Sequence, residues 1–140
     1  MYKAGPVIII EDDMDDQSFF IEAFKELPYE NELLFFDNGA KALNFLENTE
    51  ISPFIILSDI NMPIMHGFEL REKLRIDARL KTKCIPYLFF TTASDEQSVR
   101  DAYGLSVQGF FVKPNSVLEL VNVIRLIVEY WKKCKAPNDF

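Results

Sequence analysis

The sequence predicts an α/β protein, a doubly wound (βα)5 sandwich whose five-stranded parallel sheet carries helices on both faces. Three observations predict it. Short apolar runs alternate with amphipathic helical stretches five times along the 140 residues. The runs are apolar throughout instead of alternating, the pattern of strands buried on both faces. Several of them also end in acids or hydroxyls, as VIIIEDD and FIILSD do.

Taken in order, Val7 to Ile10 is the first strand, and Asp15 to Leu27 the first helix. Phe19, Phe20, Ala23, Phe24 and Leu27 recur there at helical spacing, and Pro28 stops the run. Glu32 to Phe36 is a second strand; Asn38-Gly39 turns the chain into a helix marked by Ala42, Leu43, Phe45 and Leu46. Pro53 precedes the third strand, and Gly67 opens a charged helix with Phe68, Leu70, Leu74 and Ile76 among its apolar positions. YLFFTT after Pro86 is the fourth strand, Asp95 to Tyr103 a short polar helix, and Val107 to Val112 the fifth strand. The last helix runs from about Ser116 to Lys133. With no repeat, low-complexity tract or linker, residues 1–140 are expected to form one domain with no effector domain after it.

Composition excludes several function classes. Apolar residues make up 49% and charged residues 26% of the chain, a globular and not a disordered balance. No apolar run approaches the roughly 20 residues of a membrane span, and the N-terminus lacks a signal-peptide layout, so a cytoplasmic protein is expected. A net charge of −7 without a basic patch opposes nucleic-acid binding. Cys84 and Cys134 stand far apart in sequence with no Cys/His cluster, which argues against zinc and a disulfide framework.

In doubly wound sheets the working site lies outside the carboxyl ends of the strands. Here the first strand ends in Glu11-Asp12, the third in Asp59, the fourth in Thr91-Thr92 and the fifth in Lys113. Carboxylates without thiolates or imidazoles suit Mg²⁺, or Mn²⁺ as the alternative cation. An ammonium and a hydroxyl beside them complement phosphate oxygens. Together these groups describe an aspartyl-phosphate site with a carboxylate nucleophile.

IIIEDD, LSDINMPIMHG, FFTTAS and GFFVKP, in this order and spacing, resemble the receiver domain of two-component response regulators over roughly Val7 to Lys133. The resemblance implies the CheY-like strand order 2-1-3-4-5. It also implies a signalling module that accepts a phosphoryl group from a histidine kinase or phosphotransfer protein, catalysing only its own phosphorylation and slow dephosphorylation. On it, Asp59 is the phosphoacceptor, Asp12 a direct metal ligand, Glu11 a ligand through water, and Asn61 a ligand through its backbone carbonyl. Thr91 contacts the phosphoryl group, Lys113 pairs with the acceptor, and the Lys113–Pro114 bond is cis. Glu11 stands where Asp is common, and Phe110 occupies a switch position often held by Tyr. His66, the sole histidine, reads as a solvated loop residue.

Three competing readings are weaker. A haloacid-dehalogenase-type phosphohydrolase needs a second carboxylate two residues past the nucleophile, where Asn61 stands. A calcium loop in EDDMDD fails because Asp16 occupies the position that requires Gly. A phosphorylation-independent binding scaffold is opposed by the full set of Asp12, Asp59, Thr91 and Lys113. The terminal helix is apolar over more than one core-facing stripe, so a homodimer or partner surface is expected on the strand-4/5 and terminal-helix face.

Overall fold

β-branched and aromatic residues dominate the strands, where a stiff or broad side chain packs well on a pleated surface. The computed structural model describes residues 1–92 and 94–140. In chain order it contains β1 (Val7–Ile10), α1 (Met14–Lys25), β2 (Leu33–Phe36), α2 (Gly39–Asn48), β3 (Ile55–Ser58), α3 (Gly67–Ile76) and α4 (Ala78–Lys81). There follow β4 (Tyr87–Thr91), α5 (Glu96–Gly104), β5 (Gly109–Val112) and α6 (Val117–Lys133). All five strands are parallel, in the order β2-β1-β3-β4-β5.

The two-residue period of a strand divides the core. Val7 and Ile9 face a layer formed by Phe20, Ala23 and Phe24 of α1 and by Leu120, Val121, Ile124, Ile127 and Val128 of α6. Ile8 and Ile10 face the opposite layer, with Leu46 of α2, Leu70 and Leu74 of α3, Leu80 of α4 and Ala102 of α5. β1 and β3 are buried at every position because both faces are covered and both flanks are paired. β2 is half-buried throughout, as expected of an edge strand.

The helix starts follow local capping chemistry. Asp13 caps α1 by accepting from the N–H groups of Asp15 at 2.8 Å and Asp16 at 3.1 Å. Ser116 caps α6 through the N–H of Glu119. Helix α4 was not anticipated from hydrophobic spacing, being a single turn. Its signal is Asp77, which ends α3 and whose carboxylate accepts from Leu80 N at 2.9 Å to begin the next turn. The fifth strand is shorter than expected, beginning at Gly109 instead of Val107. Val107 is nonetheless buried in the core, which explains why its hydrophobicity resembles that of a strand residue.

Candidate phosphoacceptor site

The parallel sheet carries the polar ends of four strands to one edge. The N–H of Glu11 donates to Phe36 O and that of Asp59 to Ile10 O, each at 2.9 Å, so the backbone fixes both residues just beyond their strands. Just past β5, the Lys113 N–H donates to Thr91 O at 3.0 Å, fixing the lysine beside the end of β4. Its ammonium reaches Asp59 Oδ2 at 2.9 Å and Asp16 Oδ2 at 2.6 Å, and also pairs with Glu11 Oε1. Asp59 Oδ1 accepts from the N–H of Ile60 at 2.7 Å. Both oxygens of Asp59 are therefore engaged by donors.

One ammonium serving three carboxylates cannot neutralise them all. Glu11 is only 1% exposed, and burial pushes its carboxyl up to about 7, with the Asp59 charge adding to the rise and the bond to Lys113 opposing it. For Lys113, burial alone would lower the ammonium, but its bonds to Asp16, Glu11 and Asp59 outweigh that and hold it above the ordinary lysine value. The shared partner explains why the same contacts dominate for Lys113 and fall short for Glu11. Excess negative charge remains at the edge of the sheet.

Glu11, Asp12 and Asp59 each offer one oxygen, and these oxygens lie within 4.8 Å of one another. Oxygen-only donors at that spacing fit a hard divalent cation. Asp12 is exposed while Glu11 and Asp59 are buried, so the cluster opens outward through Asp12. Beside it lies a shallow cleft of about 690 Å³ whose walls include Asp12, Asn61, Met62, His66 and Phe68. Asn61 thus stands at the mouth of the cluster.

A family model for the response regulator receiver domain matches residues 7–125. The chain belongs to the response regulator receiver family. The receiver is 35% identical over 120 residues to the response regulator receiver protein CpdR of Brucella abortus, covering 84% of this chain and 92% of that one. The structure of Mn²⁺-bound response regulator Rcp1 superposes with a TM-score of 0.78 at 26% identity, covering 93% of this chain and 96% of that one. The phosphorylated cyanobacterial phytochrome response regulator RcpA shares the fold with a TM-score of 0.83 at 24% identity, over 95% and 98% of the two chains. The chain is a receiver domain of two-component systems, whose members interact with histidine kinases or phosphotransfer proteins.

One expectation for this receiver is corrected. No peptide bond among the described residues is cis, so Lys113–Pro114 is trans. Trans is the lower-energy isomer of an X–Pro bond, and the Lys113 ammonium already reaches all three carboxylates in that conformation. Thr91 is buried at the end of β4. Phe110 is half-buried on β5, its ring tilted 59° to that of Phe89 at 6.4 Å. Phe89 in turn meets Phe68 edge-on at 5.5 Å, so an aromatic chain runs from Phe110 to the cleft wall. His66 is exposed and caps α3, its Nδ1 accepting from Glu69 N at 3.3 Å.

Asp16, which does not stand at a strand end, is the residue of this cluster that sequence reasoning missed. A signal was present: Asp16 precedes Phe20, Ala23, Phe24 and Leu27 at helical spacing, on the stripe that faces the sheet. An acid heading a core-facing stripe needs a cation, and Lys113 supplies it.

Proposed function

We propose that Asp59 accepts a phosphoryl group from a phosphohistidine on a histidine kinase or phosphotransfer protein, and that the resulting acyl phosphate alters the surface offered to a downstream partner. The observation that carries this reading is the Asp59 carboxylate, bonded at once to Ile60 N–H and the Lys113 ammonium and grouped with the Glu11 and Asp12 oxygens. An Asp59 oxygen attacks phosphorus, the phosphorus–nitrogen bond breaks, and its electron pair leaves with the imidazole. Lys113, freed from part of its pairing with Asp59, turns to the transferred phosphoryl oxygens. Glu11, Asp12, Asp59 and the Asn61 carbonyl would hold Mg²⁺ or Mn²⁺, which supplies charge stabilisation for the transferred group. The presence of Mn²⁺ in the related Rcp1 structure supports that choice. Water attack on phosphorus would later release inorganic phosphate and regenerate the Asp59 carboxylate, so the domain catalyses only its own turnover.

In this reading Thr91 contacts the phosphoryl oxygens and Phe110 repacks along the aromatic chain to Phe68, coupling the site to the α5–β5–α6 face. We assign the chain to the cytoplasm as a signalling module; no helix among the described residues is long and apolar enough to cross a membrane. On the α5–β5–α6 face, Leu126 is 72% and Tyr130 63% exposed, with Leu118, Val112 and Tyr103 also exposed. These residues favour self-association as one output. Light scattering well above micromolar concentration tests that part, since a monomer with and without phosphorylation excludes it.

Incubation with Mg²⁺ and a small acyl phosphate or phosphoramidate, followed by intact mass, tests the central step. Wild type is expected to gain one phosphoryl group that Asp59→Asn does not. A wild type that binds Mg²⁺ yet gains nothing supports a phosphorylation-independent binding scaffold instead.

A further inference from the structure

At the sheet edge opposite the carboxylates, the beginnings of β3 and β4 frame a cavity of about 500 Å³. This is within the size range of small-molecule sites. Its walls are largely apolar, with Tyr87 and Trp131 contributing aromatic surface. Its charged lining has one sign: Arg71, Arg75, Lys81 and Lys135 are present, and no Asp or Glu. In a chain with 22 acidic and 15 basic residues, this sorting places positive potential over an apolar floor.

The four cations are not equivalent. The Arg71 guanidinium donates to the carbonyls of Leu105 at 3.0 Å and Ser106 at 2.7 Å, and lies 5.4 Å from the Tyr87 ring centroid. Arg75 is paired with Glu72 at 2.8 Å. Lys81 and Lys135 are exposed at the rim, and neither ammonium has an acidic partner among the described residues. The Lys135 ammonium lies 4.3 Å from the centroid of the Phe140 ring, a side chain that is itself almost fully exposed. Trp131 and Lys135 also lie beyond residues 7–125, so sequence outside the family's matched span completes the cavity.

We propose that this cavity binds a small amphiphilic organic anion: a body of one or two rings packed against the wall that includes Trp131, and one carboxylate met by Lys81 and Lys135. The apolar lining selects the body, and the unpaired ammoniums select the charge. The absence of carboxylate and imidazole donors disfavours a metal ion there. The assignment is independent of phosphoryl transfer at the other edge.

Naphthoate is the probe, titrated into the full chain by calorimetry and followed by NMR through the indole N–H of Trp131, the one tryptophan present. Expected is saturable one-to-one binding that moves the indole resonance, with the neutral naphthamide about tenfold weaker. Replacing both rim cations, Lys81→Glu with Lys135→Glu, should weaken naphthoate about tenfold or more while leaving the thermal midpoint in place. If that pair disturbs folding, Lys81→Gln with Lys135→Gln removes the charges without adding new ones, and a fall of about threefold or more is expected. Absence of saturable binding, an unmoved indole resonance, equal affinity for acid and amide, or unchanged affinity in the folded variants overturns the proposal.

Discussion

Lys113 shows how one side chain sets the chemistry of its neighbours. It holds Glu11, Asp16 and Asp59 together, yet a single positive charge leaves Glu11 with a pKa near 7 instead of its ordinary 4.5. Below pH 4.5 Glu11 is protonated in both folded and unfolded chains, and its contribution to stability is fully present. Between 4.5 and about 7 the unfolded chain releases the proton first, so stability falls as pH rises, and above 7 the loss is complete. In chelator-containing buffer, denaturant unfolding at pH 5 and pH 8 should therefore differ by up to about 3 kcal/mol more in wild type than in Glu11→Gln. Identical pH profiles for the two proteins would show that Glu11 ionises normally. Asp16 belongs to the same scale through its contact with the Lys113 ammonium.

Element geometry places these side chains. Helix α1 begins where Asp13 accepts two backbone N–H groups, and that start aims Asp16 at Lys113. Asp13→Ala should cost about 1 kcal/mol in chemical denaturation; a variant as stable as wild type would mean that water replaces the cap without loss. The loop after β3 is constrained more tightly. Gly67 N–H donates to Ile60 O at 2.8 Å, and a Cβ on Gly67 would lie 2.4 Å from Asp59 O and 2.8 Å from the Phe89 ring. The first of these is backbone and cannot swing aside, so Gly67→Ala should cost roughly 1–3 kcal/mol. It should also slow phosphoryl gain at Asp59 in the intact-mass assay, because relief of the clash displaces the acceptor loop. Normal stability and a normal rate together would place the strain elsewhere.

At the scale of the whole molecule, acidic groups from two separate segments of the chain, residues 11–16 and Asp59, meet at one edge of an already acidic protein, so stability is expected to respond to divalent cations. Mg²⁺ at about 100 times its dissociation constant should add ~2.7 kcal/mol to the unfolding free energy. Asp12→Asn should lose most of that gain in thermal melts with and without Mg²⁺; an equal gain in the variant would remove Asp12 from the ligand set. The parallel sheet was legible because apolar runs ending in polar residues are a local pattern and burial on both faces demands parallel strands, whereas the order β2-β1-β3-β4-β5 was implied only by the family resemblance. Asp59, Glu11, Asp12, Thr91 and Lys113 were legible for the same reason, since each stands at a strand end. Helix α4 was not, because one turn is too short to show a period. Nor was the isomer of Lys113–Pro114, because neither sequence nor resemblance reveals whether the ammonium needs a cis bond to reach its partners. The sequence by itself determined which residues could do chemistry and on which edge they would gather, because strand periodicity and parallel topology follow from local hydrophobic order. Only the tertiary structure decided that Asp16 shares Lys113 and that four cations line a cavity at the opposite edge. Both depend on contacts between residues far apart in the chain, where distance and burial, not spacing, set the interaction.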